Sequence, residues 1–347
     1  EPDVTMDAER VNHKEEKKKE EKIAANVTVL PLISVEKTKL GSMIMIEDIS
    51  SEKRMKSTMS RYMDPDVADQ LLAGGEDVLG GTSGEATVLF SDIRNFTTMT
   101  EELGAQGTVS FLNEYFTIMV DCIQKEGGML DKFIGDAIMA AFGIPVFYED
   151  SAERGVRTAI LMLREMFRWN EEERKERKEK PIDMGVGLNT GVVVTGNIGS
   201  PKRMDYTMIG DGVNLASRLE SACKQYFARI LISEFTYDAL KKSYYSREID
   251  RVVVKGKTKP VGVYELLDYH NHTDETFPNM KKVLAAFEDG LKEYRAMNWE
   301  HATEAFQDAL SLNPEDKLSN MYIERCSHLQ KNPPGEEWDG VWVMKSK

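Results

Sequence analysis

EATVLFSDIRNFT (residues 85–97) and MLDKFIGDAIMAAF (residues 129–142) decide the fold. Both are apolar and strand-like, and each places one aspartate where the chain leaves or enters a strand: Asp92 at the end of VLFSDI, Asp136 in the Gly135-Asp136 tip of a tight hairpin. Each aspartate alone has an ordinary reading, a helix N-cap for Asp92 and a turn residue for Asp136. Together they are a pair of hard oxygen donors. Divalent cations such as Mg²⁺ are held by a few carboxylates and completed by substrate phosphates, so the pair suits a metal-nucleotide complex and points to a nucleoside triphosphate.

Working outward, strands and helices alternate from residue 85 to about 268. TVSFLNEYFTIMVDCIQKEGG has the spacing of an amphipathic helix, with Phe111, Leu112, Tyr115, Met119 and Cys122 or Ile123 on one face, ended by Gly127-Gly128. AERGVRTAILMLREMFRW predicts a second helix, followed by the charge run EEERKERKEK, read as a solvated helix end or loop. IDMGVGLNTGVVVTGNIG predicts a hairpin turning near Asn189-Thr190-Gly191, and VNLASRLESACK a helix. ILISEFTYDALKK then gives a strand and a helix, and VVVKGKTKPVGVYELL two closing strands. The expected class is α+β, a mixed or antiparallel sheet flanked by helices, with an N-terminal helical linker and a C-terminal α-helical appendage.

Five segments are expected: 1–48, resembling the end of a PAS or GAF sensor domain; 49–84, a signalling helix and linker; 85–270, the α+β domain that carries the paired aspartates; 276–330, a helical appendage; and a tail, 331–347. Residues 7–25 are charged and helix-prone, before two β-rich runs, NVTVLPLIS and KLGSMIMIEDIS. Ile49, Met55, Met59, Tyr62 and Met63 have near-heptad spacing, which fits a short coiled coil or a surface helix packed on its own domain. Asp64-Pro65 reads as the start of a further helix. In the appendage, Phe287, Gly290, Tyr294, Trp299, Ala302, Phe306, Ala309 and Pro314 follow the spacing of one tetratricopeptide unit.

Composition narrows the class. With 347 residues and 41% hydrophobic content the chain can bury a sizeable core, and its net charge of −14 argues against a nucleic-acid surface. Cys122, Cys223 and Cys326 are scattered, without a CxxC pair, so a reducing, cytoplasmic setting is expected. No run reaches the ~18 apolar residues of a membrane span. The chain opens at Glu1 rather than Met, so we expect a longer product, with a sensor domain and any membrane attachment in an upstream part.

LFSDIRNFT, DKFIGDAIMA, YTMIGDGVNLASRLES and VKGKTKPVGVYEL together resemble the class III adenylyl cyclase catalytic domain over roughly residues 85–268. The resemblance implies a ferredoxin-like βαββαβ palm and a lyase that converts ATP to cyclic AMP and pyrophosphate. It implies two Mg²⁺ or Mn²⁺ ions per site, held by Asp92, Asp136 and the Ile93 carbonyl, with Asn95, Phe96 and Thr97 lying against the triphosphate. Lys132 is similar to the family lysine at adenine N1. It cannot accept the guanine N1–H, which favours ATP over GTP. Thr207 stands where many members carry an aspartate facing the adenine amino group, a departure that resembles the subgroup with the bicarbonate-responsive cyclases. Asn214 and Arg218, four apart on one helix face, resemble the pair that orients the ribose and holds the α-phosphate, and Lys255 resembles the lysine at the terminal phosphates. Left to themselves, Asn214 could bridge backbone and Arg218 pair with Glu220. The resemblance further implies a homodimer whose two sites each draw Asp92 and Asp136 from one protomer and Lys132, Thr207, Asn214 and Arg218 from the other. The competing readings are a guanylyl cyclase, a catalytically inactive regulatory domain, and a diguanylate cyclase suggested by GGEDV at 74–78.

Overall fold

The computed structural model describes residues 4–7, 22–34, 37–59, 67, 81–200, 202–252, 260–270, 273–335, 338 and 340. The elements run β1 (Val4–Asp7), β2 (Lys22–Ile33), β3 (Lys39–Asp48), α1 (Ser50–Met59), β4 (Gly81–Ile93), α2 (Phe96–Lys125), β5 (Met129–Ile134), β6 (Ala137–Phe142), α3 (Ser151–Trp169) with a π-turn over Asn170–Arg174, β7 (Met184–Ser200), β8 (Arg203–Ile209), α4 (Asp211–Ala222), β9 (Ile230–Ser233), α5 (Glu234–Ala239), β10 (Ser246–Val252), β11 (Val261–Leu266), α6 (Thr273–Thr276), α7 (Met280–Arg295), α8 (Trp299–Leu312) and α9 (Lys317–Lys331). The chain divides into two compact units, Glu1–Gly75 and Glu76–Lys347.

The first unit is an antiparallel sheet in the order β1-β2-β3 followed by α1. Asp48 caps the turn into α1 by accepting from the Ser50 N–H at 2.9 Å. Residues 22–25, expected as the end of a charged helix, are instead the start of β2, with Ala25 paired to Asp48: the cross-strand ladder overrides a local preference set by neighbouring lysines and glutamates. The coiled-coil positions Tyr62 and Met63, the Asp64-Pro65 helix start and GGEDV at 74–78 lie outside the described residues.

The second unit is built on an eight-stranded sheet, β10-β11-β9-β7-β4-β6-β5, with β8 pairing the far half of β7. All neighbours are antiparallel except β7 and β9. The segment β4-α2-β5-β6-α3-β7 gives the spatial order β7-β4-β6-β5, which is the βαββαβ palm. Ala86 to Ser91 of β4 are buried without alternation, because both faces of this central strand are covered.

At the sheet's other edge, strand alternation separates two cores. Ile230, Ile232 and Leu266 face the layer of α2 and α3, where Phe111, Tyr115, Met119, Leu163 and Trp169 pack. Leu231, Val261 and Val263 face α4 and the C-terminal helices, with Leu215, Leu219, Phe287, Phe306 and Tyr322. Gly290 lies where α7 crosses α8, since a Cβ there would meet the Phe306 ring at 2.7 Å.

One expectation fails here. The hairpin predicted within 182–199 does not form: Met184–Ser200 is one continuous strand, and the chain reverses between Ser200 and Arg203. Asn189 and Thr190, residues typical of turns, are buried and spend their polar atoms across the sheet. Thr190 Oγ1 meets Thr87 Oγ1 at 2.9 Å, and Asn189 accepts from Ser233 Oγ at 2.7 Å and donates to the Gly212 carbonyl at 3.0 Å. The 171–180 charge run is solvated except at Arg174, which is 4% exposed. Its guanidinium lies 5.1 Å from the Phe111 ring and 5.0 Å from the Trp169 ring and donates to the Lys180 carbonyl.

Candidate active site

β4 and β6 are neighbours, with Ser91 opposite Ile138, so Asp92 at the end of one strand and Asp136 just before the other meet at the same end of the sheet. Gly135 takes φ 67° in the intervening tip, a conformation that favours glycine. The Ile93 N–H donates to Asp136 Oδ2 at 3.3 Å and fixes that carboxylate against the β4 terminus. The chain then turns through Asn95, at φ 58°, into α2, whose first turn has no side-chain cap. The backbone N–H groups of that turn therefore have no N-cap acceptor, an arrangement that can receive an anion.

These residues line a cavity of about 550 Å³ that includes Asp92, Ile93, Asn95, Phe96, Thr97 and Asp136. Glu220 and Lys224, which the sequence did not single out for this place, line it too. Glu220 comes from α4, held against β7 at Gly187, where a Cβ would strike the Glu220 N at 2.1 Å and the Ala216 carbonyl at 2.5 Å. The clue lay in GVGLN, whose glycines leave room for a helix on the sheet.

The cavity is electrostatically unbalanced. Burial, then the adjacent Asp92, pushes the Asp136 carboxyl up to about 7; burial, then Asp92, likewise raises Glu220 to about 7. Arg94 is close by, but its guanidinium donates to the Ala228 carbonyl and faces Asp183 at 3.7 Å. Carboxylates crowded together without a bonded protein cation are a donor set that fits a hard dication. Among the described residues, no group of three His, Cys, Asp or Glu side chains converges into a complete cage.

The remaining sequence-derived residues lie outside this cavity. Thr207 on β8 and Lys132 on β5 both meet Asp131: Thr207 Oγ1 donates to Asp131 Oδ2 at 2.9 Å, and Lys132 Nζ lies 3.5 Å from the same oxygen. Asn214 and Arg218 stand on the exposed face of α4, opposite its buried Leu215 and Leu219. Arg218 makes no ion pair with Glu220, which turns inward to the cavity. None of Lys132, Thr207, Asn214 and Arg218 lines the aspartate cavity. Exposed apolar side chains share these strands: Phe133 and Ile134 follow Lys132 on β5, and Met204 and Ile209 lie on β8 with Thr207. Lys255 lies outside the described residues.

Residues 80–267 match the family described as adenylate and guanylate cyclase catalytic domain. A terminal-differentiation specific adenylate cyclase of Dictyostelium discoideum is 37% identical over 286 residues, 78% of this chain and 13% of that protein. An adenylate cyclase of Anabaena cylindrica is 39% identical over 52% of this chain and 36% of its own length. The chain thus spans little more than a third of either relative at most. Among solved structures, the adenylyl cyclase CyaB from P. aeruginosa is 39% identical with a TM-score of 0.50, covering 55% of this chain and 96% of that one. A bacterial light-regulated adenylyl cyclase is 26% identical with a TM-score of 0.56, covering 63% of each chain. With the palm topology, the paired aspartates and a family match across more than half its length, this chain belongs to the adenylate and guanylate cyclase catalytic domain family.

Proposed function

We propose that the chain is an adenylyl cyclase, forming cyclic AMP and pyrophosphate from ATP at sites shared between two copies of itself. The observation that supports this reading is that Lys132, Thr207, Asn214 and Arg218 stand outside the cavity lined by Asp92 and Asp136, with exposed apolar residues beside Lys132 on β5 and Thr207 on β8. Such a surface is what a second protomer would cover, and two-fold pairing would bring each half-site to its complement.

Asp92, Asp136 and the Ile93 carbonyl would hold two Mg²⁺ or Mn²⁺ ions, which when bound lower the pKa of the ribose 3′-hydroxyl and neutralise the triphosphate. The uncapped start of α2 at Asn95, Phe96 and Thr97 donates N–H groups to phosphate oxygens. Lys132 donates to adenine N1, and its positive charge opposes the guanine N1–H, which selects ATP. Asn214 orients the ribose so that its 3′-oxygen lies in line with the α-phosphorus. Arg218 is always charged and offers a planar fork of donors, so it stabilises charge growing on the α-phosphate as pyrophosphate leaves. Lys255 is assigned to the terminal phosphates on the sequence alone. The 49–84 segment would couple the sites to an upstream sensor by small rotations of one protomer.

The test is product formation by the purified protein with Mg-ATP and Mn-ATP. Cyclic AMP is expected with either metal; no product with both, or cyclic GMP formed from GTP in preference, contradicts the assignment.

A further inference from the structure

Asp131 is an acid whose placement neither the fold nor the metal half-site explains. It is the extra residue of a β-bulge: Leu130 pairs Ala140 and Lys132 pairs Met139, leaving Asp131 without a partner across the ladder. Its side chain is 0% exposed. Oδ1 is buried without a hydrogen-bond partner among the described residues, while Oδ2 takes the Thr207 hydroxyl at 2.9 Å and lies 3.5 Å from Lys132 Nζ. A buried acid with one oxygen unsatisfied works against folding, and an apolar residue would fill the strand better. Both groups on its other oxygen are the ones assigned to the adenine base.

We infer that Asp131 is a positioning residue for base selection: by taking the Thr207 proton it fixes that hydroxyl as an acceptor, and it holds Lys132 beside it as a donor. The inference rests on the role of Lys132 proposed above and on the place facing the adenine amino group that the resemblance implies for Thr207. A threonine hydroxyl has one proton and two lone pairs. With the proton committed to Asp131 Oδ2, only lone pairs face the substrate, and they pair with the N6 amino group of adenine and repel the O6 of guanine. Without Asp131 the hydroxyl would rotate freely and could serve either base. The bulge is the means by which one strand sends Asp131 towards β8 while Lys132 stays on the base-facing side.

The decisive comparison is between ATP and purine riboside triphosphate, which differs only in lacking the N6 amino group. Both are used to displace a fluorescent methylanthraniloyl-ATP probe from the intact protein in the presence of Mg²⁺. Wild type should prefer ATP by about tenfold. Asp131→Ala should lose that preference while still binding both nucleotides; Asp131→Asn, whose amide oxygen can still accept, should keep most of it. Thr207→Val should lose it too, and adding Asp131→Ala to Thr207→Val should change the ratio no further. If Asp131→Ala weakens both nucleotides by the same factor and leaves the ratio intact, Asp131 is structural and the inference is overturned. Should that variant not fold, wild type still decides: equal handling of the two nucleotides, or a preference that survives Thr207→Val, overturns it. A protein that makes no cyclic AMP but shows the predicted ratios would contradict the proposed reaction and leave the role of Asp131 standing, whereas one that displaces no probe with either nucleotide overturns both.

Discussion

Buried acids are treated in opposite ways in two regions of this molecule. In the seam between β10 and the C-terminal helices, each carboxylate has a guanidinium. Arg247 bonds Asp316 through two nitrogens at 2.8 and 2.7 Å and Glu265 at 2.8 Å, and all three side chains are at most 5% exposed. Arg325 and the Tyr226 hydroxyl both donate to Asp250, at 2.8 and 2.7 Å. In the cavity, Asp92, Asp136 and Glu220 repel one another, and the nearest guanidinium, Arg94, bonds elsewhere. The seam is finished by the chain itself and serves the fold; the cavity acids lack such partners, as the proposed metal site requires. Within the seam Asp316 is held below the usual carboxylate range despite burial, with Arg247 the largest opposing influence, while burial outweighs the same arginine at Glu265 and raises it; in the cavity burial and then Asp92 push Asp136 up to about 7.

The largest effect that would break this comparison is on activity. Asp92→Ala should reduce cyclic AMP formation by about a thousandfold or more with circular dichroism and melting temperature essentially unchanged; a parallel collapse of fold would make Asp92 a structural acid like those of the seam. Next comes stability: Asp316→Ala strands the Arg247 charge and should cost about 3–5 kcal/mol in urea unfolding, whereas a loss below about 1 kcal/mol would mean the seam is not a compensated network. A smaller effect sharpens the cavity side. Without divalent cations Asp136→Asn should be as stable as wild type or up to about 1 kcal/mol more stable; adding millimolar Mg²⁺ should raise the melting temperature of wild type and leave the variant nearly unmoved. A destabilised variant in metal-free buffer contradicts the uncompensated pair.

The smallest effect is a pH dependence at the margin of the seam. Burial, then the cation of Arg229, pushes His270 down to about 4, and its ring lies against Tyr269 and Phe277. The folded protein keeps this imidazole neutral while the unfolded chain takes up a proton below about 6.5. Its contribution is therefore present above pH 6.5 and lost as pH falls from there towards 4. His270→Gln should flatten the melting-temperature profile across that window; profiles that stay parallel would show that His270 titrates normally.

The same contrast explains how much was legible in the sequence. Apolar periodicity and the Gly135-Asp136 tip sufficed for β4, β5 and β6 as strands and for the β5-β6 hairpin, but the placing of β6 beside β4, which brings Asp136 to Asp92, does not follow from that hairpin and rested on the resemblance. The course of β7 was not legible. Asn189, Thr190 and Gly187 have turn-like identities, and only their partners across the sheet and the close approach of α4 keep the strand running. Arg174 disappeared into a charge run because its aromatic partners, Phe111 and Trp169, lie on two other segments. Glu220 looked like a surface partner for Arg218 because helix spacing does not say which side faces a cavity. Asp131 was masked by its neighbour Lys132, since a bulge cannot be read from residue identities alone.

The central claim is that one chain carries two half-sites, neither sufficient alone. It is tested most directly by mixing Asp92→Ala with Arg218→Ala protein, each separately inactive, under conditions in which protomers exchange. Statistical pairing makes half the dimers mixed, each with one intact site and one doubly defective site, so cyclic AMP formation should return to about a quarter of the wild-type rate. Mixed dimers isolated with two different affinity tags that remain inactive would contradict the shared site.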